Sequence, residues 1–464
     1  MLQTEKLIKF VRDTGYSQLP SRLIEHARLC LLDTIGCTVA AGSQSETGTL
    51  QPVHTMTWNT CREATRIGRR AKASASDAFR VNAYASSCLD FDRGKSFQYM
   101  HPGRLLILSA LAAGEKLNVS YKELITAIIL GYEVLLRVGR AVRPIGWPLD
   151  ELHPDTKFSP YCFSLPGTAG IVLKLLDMNT NGETNIGTRP ISQASGNHTQ
   201  KSSEGSANTI LADNKVTRLI SSMVSLLTET CDSNTPLSVP VDEERISTIT
   251  AKLGNSTELT ARLGQKYLIT EVGFIPTSQC YYVQSPIMAV KKALRGEYMD
   301  MDRIRWIDLI GLQWLAAIKN KHTEDVAGRM ATATALLINN VNPEVAWYLN
   351  GELENTTVRV LASKIRFFDD LNSWMDLIES RDYLFRAVIE TTDGRRRLEI
   401  VKHEIKGIDD VTTENQFKTR FSDYTSYTLG DEKAQKLQKA LLEQDDIGVR
   451  DLMKLVQPKF WSFF

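Results

Sequence analysis

The chain of 464 residues carries almost no net charge: 55 Lys and Arg stand against 54 Asp and Glu, a formal +1. That balance provides no electrostatic footing for nucleic acid or for an anionic membrane surface. The seven cysteines contain no CxxC pair and no metal-finger spacing. An odd, scattered set argues against a disulfide framework and favours a reducing compartment. Cys30, Cys37, Cys88 and Cys162 sit in apolar stretches and read as small buried hydrophobes. There is no glycine-rich nucleotide loop, no P-loop and no HExxH. The longest apolar stretch, Leu124 to Leu136, is interrupted by Glu133 and is too short to span a bilayer. The first residues, MLQTEKLIKFVRDTGY, read as an amphipathic helix without a signal-peptide apolar region, so the expected location is cytoplasmic.

Hydrophobic content of 42% and charged content of 23% are ordinary for a globular protein, and the length suggests two domains. Residues 1 to 142 are helix-rich. Apolar side chains recur at helical spacing through Leu23, Ala27, Leu31 and Ile35, and again through Leu124, Ile128 and Leu135. Ala127 to Val138 is apolar nearly all round, as a buried central helix would be. Gly36, Gly42, Gly131 and Gly139 are small enough to let helices approach closely.

Residues 178 to 215 are rich in Asn, Thr, Ser and Gly and have almost no apolar period, the composition of a long loop or of disorder. Genuine divergence and intron-derived sequence would both produce it. From about 265 the pattern changes. Residues 301 to 314 contain the alternation of a strand, and Tyr383 to Ile405 reads as a β-hairpin turning at Asp393-Gly394. A helix over 326 to 338 lies between them, and Thr413 to Val456 returns to helical spacing.

The densest chemistry lies at 82 to 103, NAYASSCLDFDRGKSFQYMHPG. A helical approach ends in Asp90 and Asp92, a polar loop follows, and His101 opens a His-Pro-Gly turn. A carboxylate that orients an imidazole is a common proton-transfer arrangement. A helix-capping aspartate beside an ordinary turn histidine would leave the same spacing.

This stretch resembles the signature of the MmgE/PrpD family, N-A-x-x-x-H-x-L-D-F-D-D-T-H followed by H-P-G. ARLCLLDTIGCTVAAG at 27 to 42 is similar to the family's first long helix, and Gly114 to Val142 to its following helix pair. SQASG at 192 to 196 and TTDGRRRLEI at 391 to 400 match shorter pieces. The resemblance implies a mainly α fold with an α+β part. A large all-helical domain would be built from 1–264 and 407–464, with a smaller α+β lid inserted at 265–406 and the active site in the cleft between them. It also implies a homodimer.

Family dehydratases remove water from citrate-like tertiary alcohols, and family decarboxylases remove carbon dioxide from an unsaturated tricarboxylate. Neither reaction requires a metal or organic cofactor. The resemblance places catalytic roles on Asp90 and His101. It places a second site histidine on His153, within GWPLDELHPDTKF, where an insertion follows Trp147 and an ordinary loop histidine is the other reading. The family's third acid falls on Arg93 and a histidine on Lys95. A lysine of its T-K-R-L-H run falls on Thr217, leaving Arg218 beside it. A second lysine falls on Gly273, a lid histidine near Ser278, and the tyrosine of some decarboxylases near Ala333. Arg93, Lys95 and Arg218 are therefore the cations available for substrate carboxylates, and a solvated loop face is the other reading of the first two.

The expected function is a lyase of the 2-methylcitrate dehydratase type, acting on a citrate-like or 2-alkylcitrate di- or tricarboxylate. Such homologues resemble alkylcitrate dehydratases of microbial and fungal natural-product pathways. A cis-aconitate-type decarboxylase and a catalytically degenerate homologue are the alternatives.

Overall fold

The computed structural model describes residues 3–42, 61–88, 102–142, helical positions between 167 and 175, 256–272, 281–294, 299–311, 334–335, 356–370, 383–403 and 411–458. The described elements form a mainly helical protein with small sheets and divide into two compact units.

The helical unit draws on both ends of the chain. It contains α1 (Gln3–Asp13), α2 (Ser21–Gly42), α3 (Ala75–Cys88), α4 (Pro102–Leu117) and α5 (Tyr121–Val142). From the C-terminal end come α8 (Val411–Leu429), α9 (Asp431–Glu443) and α10 (Val449–Leu455). The unit is not wholly helical: β1 (Ala64–Thr65) and β2 (Lys72–Ala73) pair as a short antiparallel ribbon.

The apolar spacing anticipated for α2 and α5 is the core. Leu23, Ala27, Leu31 and Ile35 are buried, as is nearly every side chain of α5. Each fully buried Leu or Ile contributes roughly 1.5–3 kcal/mol. Helix α5 starts with a reciprocal cap: Ser120 Oγ accepts from Glu123 N at 3.3 Å, and Glu123 Oε2 accepts from Ser120 N at 2.6 Å. Two of the anticipated small contacts are visible. A Cβ on Gly36 would lie 3.0 Å from the Phe421 ring, and one on Gly131 would collide with the Ile171 side chain. Cys30 and Cys37 are buried, while Cys88 and Cys162 lie outside the described side chains.

Helix α2 packs against α8 and α9, so the two chain ends share one core. The seam carries a buried ion pair, Asp33 with Arg420, and the Arg420 guanidinium also lies 4.9 Å from the Phe417 ring. Arg28 binds Asp445, which also accepts from Tyr16 OH at 3.0 Å.

Glu133, which interrupts the apolar run, has a structural role. It pairs with Arg137 at 3.1 Å, and both side chains are almost fully buried. Glu133 also accepts from the backbone N–H groups of Leu268 and Ile269, while Arg137 donates to Ala261 O at 2.8 Å and Lys266 O at 2.9 Å. The pair thereby holds residues 261–269 against α5 and pairs polar backbone groups that burial would otherwise leave unpaired. Burial is the largest influence on the Glu133 carboxyl and pushes its pKa up, against the lowering effect of Arg137.

The second unit contains α6 (Tyr281–Leu294), β3 (Ile304–Gly311), α7 (Thr356–Ser363), β4 (Ile365–Asp369), β5 (Tyr383–Thr391) and β6 (Arg396–His403). Its sheet runs in the order β4-β3-β5-β6, with β3 and β4 parallel and the other pairs antiparallel. The strand and hairpin anticipated at 301–314 and 383–405 are β3 and β5–β6. Gly394 takes φ +79° in the turn, the left-handed region that glycine enters without strain. Helix α6 contacts β5 and β6. The anticipated helix over 326–338 is described only at Thr334 and Ala335, which are helical, and 178–215 lies outside the described residues.

Candidate active site

The stretch singled out in the sequence begins on α3 and ends on α4, and these helices pack on each other. Helix α3 is started by Ser74, whose Oγ accepts from Asp77 N at 3.2 Å. Asn82, the first residue of the signature, is buried. Its Oδ1 accepts from Ile67 N at 2.8 Å and its Nδ2 donates to Thr65 O at 3.0 Å. Glu115, near the other end of α4, is fully buried. It accepts from Thr65 N at 2.7 Å, Thr65 Oγ1 at 2.8 Å and Lys72 Nζ at 2.7 Å. One ribbon therefore ties α3 to α4, and the ends of residues 89–101 start from two fixed helices.

The anticipated Pro-Gly turn is corrected. Pro102 and Gly103 form the first turn of α4. Proline suits a first helical position because its φ is already helical and its missing N–H would have no intrahelical partner there. Gly103 is there for space: a Cβ would lie 3.0 Å from Thr34 Oγ1 on α2 and 3.1 Å from Tyr132 OH on α5. The start of α4 is thus wedged against two other helices. His101 is joined to that wedge by a single peptide bond.

Arg104, in the same turn, is only 6% exposed. Sequence reading passed over it, although a cation entering the apolar run LLILSALAAG is a visible anomaly. A buried guanidinium needs charge or hydrogen-bond compensation, and guanidinium geometry suits carboxylates. In the last turn of α3, the buried Ser86 hydroxyl has no hydrogen-bond partner among the described residues.

The residues expected to carry the chemistry, Asp90, His101 and His153, lie outside the described residues, as do Arg93, Lys95 and Arg218. The same holds for Thr217, Gly273, Ser278 and Ala333. Among the described residues no cluster of His, Cys, Asp and Glu could hold a metal ion. Nor is any described helix long and apolar enough to cross a membrane. A surface groove between α1 and residues 264–267 is lined by Lys6, Lys9, Asp13 and Tyr267, and includes none of the expected site residues.

Comparison with curated proteins found no significant relative. Comparison with family models matched the MmgE/PrpD N-terminal domain over residues 5–210, a span that includes α1 to α5 and the whole 82–103 stretch. The tied helices α3 and α4, the proline-started α4 and the buried α5 all fall within this match, which supports membership of the MmgE/PrpD family.

Proposed function

We propose that the protein is a lyase of the 2-methylcitrate dehydratase type, eliminating water from a citrate-like or 2-alkylcitrate substrate. The observation that carries this reading is the family match across 82–103 together with the rigid α3 and α4 from which that stretch departs. Elimination needs a base for a C–H beside a carboxylate and an acid for the departing hydroxyl. The C–H electron pair becomes the new double bond, the C–O bond breaks, and the hydroxyl leaves as water after taking a proton.

His101 and His153 serve as the base and acid, with Asp90 orienting His101. Imidazole suits both roles because it titrates near neutral pH. Arg93, Lys95 and Arg218 bind the substrate carboxylates, and buried Arg104 adds a cation at the start of α4. The loss of two family lysines, to Thr217 and Gly273, favours a second reading in which the fold persists without turnover.

The test is a mass-spectrometric assay of the protein with 2-methylcitrate, a longer 2-alkylcitrate and cis-aconitate, each beside the His101→Ala variant. Loss of water that falls at least about 100-fold in the variant supports the proposal. Loss of carbon dioxide would replace it with a decarboxylase. No turnover of any substrate by folded protein would favour the second reading.

A further inference from the structure

The groove between α1 and residues 264–267 is assembled from groups that the proposed chemistry does not use. Helix α1 turns Leu7 and Val11 into the core. Lys6, Lys9, Phe10 and Asp13 recur at three- and four-residue spacing, which sets them together along the groove. Tyr267 forms the facing wall, its ring centroid 6.2 Å from that of Phe10. Gln18, beyond the end of α1, also lines it. The groove has a volume of about 510 Å³, within the range of small-molecule sites.

The facing wall is fixed from within. Arg137 donates to Ala261 O and Lys266 O, and Glu133 accepts from the N–H groups of Leu268 and Ile269, so the chain on both sides of Tyr267 is tied to α5. The Thr260 hydroxyl also bonds Gln3 of α1, which sets the wall against the helix. A groove mounted in this way needs little ordering when a ligand enters. Its polar groups are unspent. Neither Lys6 nor Lys9 forms an ion pair among the described residues, whereas Lys266, next to Tyr267, pairs with Glu271 at 2.8 Å. Asp13 likewise meets no cation among them. Gln18 Oε1 accepts from Gly15 N at 2.6 Å, which leaves its amide NH2 as a donor.

We propose that this groove binds a ligand of the nucleoside monophosphate class: a flat heterocycle joined through a hydroxylated linker to one phosphate. Two ammonium groups one helical turn apart can straddle a single dianion and hold it with charge-assisted bonds. A neutral or cationic ligand would leave both lysines unanswered. Phe10 and Tyr267 are half-buried, so each offers part of its ring, and a heterocycle stacks on such faces. Asp13 accepts from hydroxyl groups between ring and phosphate, and it would repel a second anionic group placed there. An inorganic anion or an aliphatic carboxylate would use the lysines and leave the rings bare. The inference stands on the groove alone and does not depend on the lyase reading.

Isothermal titration calorimetry of the full chain with adenosine 5′-monophosphate tests the proposal. One site with a Kd of about 100 μM is expected. Lys6→Gln and Lys9→Gln should each weaken binding at least about tenfold by removing a charge-assisted bond. Their circular dichroism should stay unchanged, because both positions are exposed. Lys436→Gln on α9, where the lysine pairs with Glu432 at 2.7 Å, serves as the control and should bind like wild type. Ribose 5-phosphate keeps the phosphate without the ring, and adenosine keeps the ring without the phosphate. Each should bind at least about tenfold more weakly than the monophosphate. No binding of adenosine 5′-monophosphate would overturn the proposal. So would Lys6→Gln and Lys9→Gln proteins that bind like wild type, which would put the ligand elsewhere. Ribose 5-phosphate binding as tightly as the monophosphate would also overturn it, because the rings would then take no part.

Discussion

Asn82 and Glu115 hold the same residue, Thr65, from two different helices. Asn82 Nδ2 donates to the Thr65 carbonyl at 3.0 Å, and Glu115 accepts both the Thr65 N–H and its hydroxyl. The ribbon residue is the clasp that fixes the two helices leading into and out of 89–101. Asn82→Ala and Glu115→Ala should each cost about 1–3 kcal/mol, because each leaves buried backbone groups of β1 unpaired. Their costs should not add in the double variant, since both act through Thr65. Urea unfolding of the two single variants and the double measures this, and strict additivity would show that the clasp is not one unit.

The Asp33–Arg420 pair joins the two ends of the chain inside the helical core. Removing one partner, as in Asp33→Leu or Arg420→Met, should cost about 3–5 kcal/mol by stranding a buried charge. Replacing both should recover much of that loss. A thermal-unfolding cycle over the four proteins checks it, and a double variant as unstable as the worse single one would refute it.

Gly131 sits where α5 meets Ile171 with no room for a side chain. Gly131→Ala should therefore destabilise by about 1–3 kcal/mol through overpacking. Ile171→Ala placed beside it should return part of the loss by vacating the clash. An unchanged melting temperature in Gly131→Ala would mean that this contact is loose.

Arg104 separates a structural cation from one that serves the substrate. If it meets a carboxylate of the substrate, Arg104→Lys should raise KM about tenfold or more while kcat changes less, since a point charge replaces a bidentate grip. An unaltered KM in a folded variant would leave Arg104 a purely structural residue.

Asp393 gives the β5–β6 turn a pH dependence. The Thr391 hydroxyl, and then the Arg395 N–H, hold its carboxyl below the ordinary 3.8. A group with a lowered folded pKa stabilises above its unfolded value and loses that contribution as pH falls through the folded one. The hairpin should therefore loosen in acid, starting below about pH 4. Amide exchange of β5 and β6 at several pH values reads this, and Asp393→Asn should abolish this part of the dependence.

The family membership and the chief local elements were legible in the chain, because helices and hairpins declare themselves by local periodicity. Helix α2 shows its apolar repeat through Leu23, Ala27, Leu31 and Ile35, and β5–β6 shows its Asp-Gly turn. Local spacing misread Pro102-Gly103 as a turn. The deciding fact was the space left by Thr34 and Tyr132, which are distant in the chain. The same limit hid Arg104, Glu115 and the Glu133–Arg137 pair. Whether a charged side chain is buried, and what compensates it, depends on partners such as Thr65 or residues 261–269 that no window of sequence contains. Asp90, His101 and His153 rest on their motif alone, and a motif specifies residue types and spacing. What tertiary structure decided is the frame, two helices clasped through Thr65 with α4 wedged at Gly103, because only packing between distant segments can fix how such helices meet.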